Sequence, residues 1–141
     1  MGWQAYGLDR EAQRLVLEAL DIDNNQQMKG DACLREAYKM RESVAYGLER
    51  FWGEHLRHQG KQEKKSRYWK ATWDTLAKVL DQAGVKLPND ANPRAMAEKL
   101  WGERPVETDG PTLKMRDQQL ALAVLTQLCD CLVWWTQRYK T

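Results

Sequence analysis

Phenylalanine occurs once in these 141 residues, proline four times, cysteine three times and histidine twice. Three cysteines, an odd number, give no disulfide framework and fit a reducing cytoplasm, the expected location. No stretch reaches 18 uncharged apolar residues, and Met1-Gly2-Trp3-Gln4 has no basic segment leading into an apolar run. Neither a membrane span nor a secretory signal is therefore expected. Charge of one sign is also scarce, since 22 Lys+Arg against 20 Asp+Glu leave a net +2. Any partner preference must come from where the charge sits. What the chain does have is 43% apolar and 30% charged residues, too apolar for disorder and long enough to enclose one core. It is also rich in indole, with seven Trp beside five Tyr.

The dominant period is helical. Ala12, Leu15, Val16, Ala19 and Leu20 form a first stripe, which Asp9 can cap and the polar run Asp23 to Gln27 ends. From Asp31 to His58 a longer stripe (Leu34, Tyr38, Val44, Ala45, Leu48, Phe51, Trp52, Leu56) predicts one long helix, with Arg35, Glu36, Lys39, Glu42, Glu49 and Arg50 on its polar side. After Gly60 a third helix carries Trp69, Thr72, Trp73, Leu76, Val79, Leu80 and Ala83 and closes at Gly84. Asn92-Pro93 opens a short fourth helix, an N-cap followed by proline at the first helical position, which ends at Gly102. Thr112 to about Tyr139 forms the last. From Leu120 to Trp135 only Thr126, Gln127 and Asp130 are polar, so this helix is expected to be surrounded by its neighbours. The expected fold class is all-α: one domain over residues 1–141, a compact bundle of about five helices with the apolar C-terminal helix at the centre.

Metal and nucleophile chemistry find little support. Asp21, Asp23 and Asn25 stand at positions 1, 3 and 5 of a calcium loop, but Gln26 replaces its glycine and Ala32 its bidentate Glu, so a solvated inter-helix loop is expected. Cys129 and Cys131 lie about 200° apart around a helix and cannot share an ion; both read as inert thiols. His55 and His58 read as surface or interface side chains rather than ligands. There is no GxSxG, GxxxxGK[ST] or GxGxxG, and no metal or cofactor is expected.

Two patterns could act on a polymer. Arg50 and His55, in Arg50-Phe-Trp-Gly-Glu-His55, resemble the Arg-x4-His motif of the all-helical HEPN ribonucleases. The resemblance implies that Arg50 stabilises phosphate charge and His55 moves protons, without a metal. The stronger anomaly is basic. Arg57, Lys61, Lys64, Lys65, Arg67 and Lys70, opposed only by Glu63, give net +5 in 14 residues, which leaves the rest of the chain net negative. Interleaved with His58, Tyr68 and Trp69, and extended by Arg138 and Lys140, such a corner can neutralise phosphates. No base-reading motif accompanies it, so the backbone is the expected target.

The tryptophans divide as well. Trp52, Trp69, Trp73 and Trp135 fall on core stripes, whereas Trp3, Trp101 and Trp134 do not and are candidates for contacts with other subunits.

With these pieces placed, the chain resembles the small all-helical subunit of type III CRISPR effector complexes, in the Cmr-type version. The similarity is one of layout. An opening helix is rich in Arg, Glu and Ala (Asp9-Arg10-Glu11-Ala12-Gln13-Arg14-Leu15), and a helical hairpin spans Val44 to Leu80. A leucine-rich closing helix, from Leu120 to Tyr139, carries late Trp134 and Trp135 followed by Arg138. The resemblance implies a non-catalytic structural subunit of an RNA-guided ribonucleoprotein. Copies of it stack with one another and with other subunits, and basic faces line the guide–target RNA. The alternatives are the HEPN-like ribonuclease and a protein-only helical adaptor.

Overall fold

The three- and four-residue spacing of apolar side chains becomes helix along most of the described chain. A computed structural model describes residues 7–25, 33–89, 92–101 and 115–139. Among these, six α-helices occur and no strand: α1 (Leu8–Asn25), α2 (Glu36–Ser43), α3 (Leu48–His58), α4 (Glu63–Gln82), α5 (Pro93–Trp101) and α6 (Met115–Tyr139), with a 3-10 turn at Val44–Tyr46. The architecture is the expected all-α bundle.

Local chemistry explains most boundaries. Gly84, at φ 82°, closes α4 with a Schellman pair: its N–H donates to Asp81 O at 3.0 Å, and Val85 N–H donates to Leu80 O at 3.0 Å. Asn92 Oδ1 accepts the N–H groups of Arg94 (2.9 Å) and Ala95 (3.1 Å), and Pro93 occupies the first helical position of α5. Asp9 lies inside the first turn of α1 rather than capping it, where its charge still favours the positive end of the helix. The expected end of α5 at Gly102 and the start of α6 at Thr112 lie outside the described residues.

One expected element is broken. The single helix predicted from Asp31 to His58 is two helices, α2 and α3, joined by the 3-10 turn and by Gly47 at φ 95°, ψ 175°. That conformation is essentially reserved for glycine, so the chain turns there although the apolar spacing runs on. Ala45, assigned to the core stripe, is exposed in consequence, while Val44 and Leu48 on either side are buried.

The core is aromatic where α3 meets α4. Phe51 lies 5.0 Å from the ring of Trp69 and 6.5 Å from that of Trp73, each such pair contributing about 0.5–1.5 kcal/mol beyond its burial. Trp52, Trp69 and Trp73 are buried as expected, Trp135 is partly buried and Trp134 is exposed; Trp3 lies outside the described residues. Trp73 Nε1–H donates to Pro88 O at 3.2 Å, which ties the segment after α4 back onto that helix and seats Asn89 beside it. Helix α6 touches α1, α2, α3 and α4, the central place expected of it, but its buried side chains lie along one face and it is not enclosed all round as its composition suggests. It buries Ala121, Val124, Leu125, Leu128, Cys129 and Leu132 and leaves Ala123 and Trp134 outside. By length and composition alone, its segment Arg116–Tyr139 is apolar enough to cross a membrane.

Candidate nucleic-acid interface

The basic corner is the turn between α3 and α4. Helix α3 ends with Leu56 O accepting from Gln59 N–H at 3.2 Å, and Gly60 reverses the chain at φ 84°. Glu63, in the first turn of α4, reaches back so that Oε1 accepts the Gly60 N–H at 2.5 Å. Glu63 is therefore a structural clasp inside a basic run. Arg57 at the negative end of α3 is well placed for the helix dipole. Lys64 and Lys65 are not, since they stand at the positive end of α4, where cations are disfavoured.

Six cations were expected on this corner, and the structure divides them. Arg57 Nε is 2.6 Å from Glu54, and Lys70 Nζ is 2.6 Å from Asp74; both pairs lie along one helix and spend their charge locally. Lys65 is turned inward. Its side chain is 14% exposed, and Nζ lies 3.7 Å from the buried Glu36, so this cation belongs to the interior rather than to the interface. Lys61, Lys64 and Arg67 have no carboxylate partner among the described residues. Lys61, Lys64 and Lys65 border a shallow concavity of about 330 Å³ with Gln62 and Glu63. Arg67 and Lys70 line a second groove, of about 450 Å³, between α3 and α4.

Both histidines are buried, contrary to the surface position expected for them. His55 Nδ1 lies 2.5 Å from Trp52 O, and its ring meets the edge of Trp52 with centroids 5.1 Å apart. A carbonyl only accepts, so Nδ1 carries the proton. Burial, reinforced by Lys70, pushes the His55 pKa below the usual 6.5, against the pull of the Trp52 carbonyl. His58 Nδ1 is 3.0 Å from Gln62 Oε1, and Nε2 is 3.4 Å from Glu36 Oε1.

Glu36 is the residue that periodicity missed. Assigned to a polar face, it is 1% exposed; its Oε1 accepts Trp69 Nε1–H at 2.9 Å, and Lys39 Nζ stands 3.4 Å from Oε2. The signal lay in its position beside the stripe Cys33, Ala37, Met40 and Val44, every member of which is buried.

The other candidates separate. Arg50 lies with its guanidinium carbon 5.5 Å from the centre of the Tyr46 ring and lines a groove with Tyr46, Leu48 and Leu122, whereas His55 lines the groove of Arg67 and Lys70. The two are thus not brought to a common cavity. Asp23 is 3% exposed and accepts the N–H groups of Cys33 (2.9 Å) and Leu34 (2.8 Å) on its two carboxylate oxygens. It anchors the chain entering α2. Among the described residues no three His, Cys, Asp or Glu side chains converge as a metal site. Desolvation raises the Cys33 and Cys131 thiols to about 12, and Cys129 further. Arg138 stacks over exposed Trp134 at 5.4 Å, away from the corner in sequence; Lys140 lies outside the described residues. Comparison with known proteins finds no matching family model, curated sequence or solved structure.

Proposed function

We propose that this chain is a non-catalytic helical subunit of an RNA-guided ribonucleoprotein, of the type III CRISPR kind whose layout it resembles. It holds RNA by the phosphate backbone. The observation that carries the reading is the state of Lys61, Lys64 and Arg67. These three cations are uncommitted within the described fold: Lys61 and Lys64 flank the first turn of α4, whose free N–H groups already favour anions, and Arg67 follows on the next turn, in the neighbouring groove. Placing lysines there runs against local helix chemistry, a conflict expected where function rather than stability selects the residue. Exposed Trp134 and Tyr46, each stacked under an arginine, are the surfaces for neighbouring subunits and further copies of this chain.

The test is titration of a single-stranded RNA at several salt concentrations, with wild type and with Lys61→Ala/Lys64→Ala/Arg67→Ala. Loss of three phosphate contacts should weaken binding equally for unrelated sequences. It should also reduce the slope of log affinity against log salt by about 2. An unchanged slope would remove the reading. Tight co-purification with a protein, and no retention on RNA, would favour the adaptor.

A further inference from the structure

The groove beside the free cations contains a group that phosphate binding does not need. It lies between α3 and α4 and is lined by Trp52, His55, Arg67, Lys70 and Asn89, among others. Its volume of about 450 Å³ is in the range of small-ligand sites. Two of its polar groups are fixed internally: Ser66 Oγ–H donates to His55 O at 2.7 Å, and Asn89 Nδ2–H donates to Asp74 at 2.9 Å. Arg67 is open. So is one nitrogen of His55, because Nδ1–H is held by the Trp52 carbonyl and Nε2 has no partner among the described residues. Burial keeps the ring neutral at pH 7, so Nε2 presents a lone pair and no proton.

A lone pair in such a place selects its ligand. A nucleic-acid strand held by its backbone offers phosphate oxygens, sugar ring oxygens and ester oxygens, all of them acceptors. The single backbone donor is the ribose 2′-hydroxyl, and DNA lacks it. We propose that His55 Nε2 accepts a hydrogen bond from a ribose 2′-hydroxyl while Arg67 holds the adjoining phosphate, making this groove the element that selects RNA over DNA. The inference rests on the backbone-binding reading above and adds the sugar to it. The hydroxyl donates its proton and keeps it; no bond is broken, and the contact is one of recognition. The ring is fixed for that task by the Trp52 carbonyl and by its packing on the Trp52 indole, so little side-chain freedom is lost on binding.

The experiment compares three single strands of one sequence, RNA, DNA and 2′-O-methyl RNA, on the wild-type chain and on His55→Asn and Arg67→Ala. Asparagine can still donate to the Trp52 carbonyl but has no atom at the Nε2 position. Wild type is expected to bind RNA about fivefold more tightly than DNA for each such contact, with 2′-O-methyl RNA at the DNA level. His55→Asn is expected to lose that preference and keep DNA binding. Arg67→Ala should weaken all three strands alike and keep the ratio. Equal wild-type affinity for RNA and 2′-O-methyl RNA overturns the inference even if His55→Asn fails to fold, and leaves backbone binding standing. Retention of the preference in folded His55→Asn also overturns it. Failure to bind any of the strands overturns both readings.

Discussion

Trp69 and Glu36, 33 residues apart, meet inside the bundle, where the indole N–H donates to a carboxylate oxygen at 2.9 Å. The bond joins α2 to α4, and His58 and Lys65 close around the same carboxylate. Removing it leaves a largely enclosed cation and a buried N–H without partners. Glu36→Ala should therefore cost about 3–5 kcal/mol of unfolding free energy in urea. Glu36→Gln keeps an acceptor for Trp69 and should cost less. Equal urea midpoints for wild type and Glu36→Ala would show that the contact contributes nothing.

The two neighbouring lysines of the corner should behave oppositely. Lys64→Ala is expected to leave stability within about 0.5 kcal/mol and to reduce the salt slope of RNA binding by about 0.7. Lys65→Ala should lower the urea midpoint and leave the slope alone, because its ammonium faces Glu36. Paired melts and salt titrations of the two variants measure both.

His55 gives a pH dependence of known sign. Its folded-state pKa is lowered, so the unfolded chain binds the proton more readily. The stability it contributes is complete above about pH 6.5 and is lost as pH falls from there toward the folded value. Lys70 pushes its pKa further down and Asp74 pushes it up, while Glu63 and Arg67 border the same groove. Urea midpoints at pH 8, 6.5 and 5 should fall less steeply in His55→Asn than in wild type. RNA-over-DNA preference should fade over the same interval.

Glycines 47 and 53 provide an internal contrast. Gly47→Ala forces a side chain into a backbone region at φ 95° and should destabilise by about 1–3 kcal/mol. Gly53 lies inside α3, and a Cβ there would meet only Glu49 Oε2 at 3.9 Å, so Gly53→Ala should stabilise by about 0.5–1 kcal/mol. Thermal melts of the two variants decide.

The thiols should resist modification. With Cys33 and Cys131 raised to about 12 by burial, little thiolate exists at pH 8. Alkylation followed by mass spectrometry should label the native chain slowly and the urea-unfolded chain at once.

Elements governed by neighbours in sequence were legible: Gly84 ending α4, Asn92-Pro93 opening α5, and the helical, apolar character of α6, though not which of its faces is buried. The break at Gly47 was not, because Val44, Leu48 and Phe51 keep helical spacing across it and only the backbone angle betrays the turn. Glu36 was hidden for another reason. Apart from Lys39 in its own helix, its partners come from α3 and α4, and no pattern within α2 records those. The basic corner was visible as composition, and the pairs Arg57 with Glu54 and Lys70 with Asp74 follow from helical spacing. The inward turn of Lys65 required the fold.

Helix α1 buries Ala12, Leu15, Val16 and Ala19 and packs extensively on α6, where Gln13 Nε2–H also donates to the hydroxyl of Tyr139 at 3.1 Å. The earliest described helix to leave the ribosome thus finds its cover in the latest. Until α6 emerges, the part of its apolar side that α4 does not cover stays open to chaperones, and truncating translation ahead of α6 should yield an insoluble fragment rather than a smaller bundle.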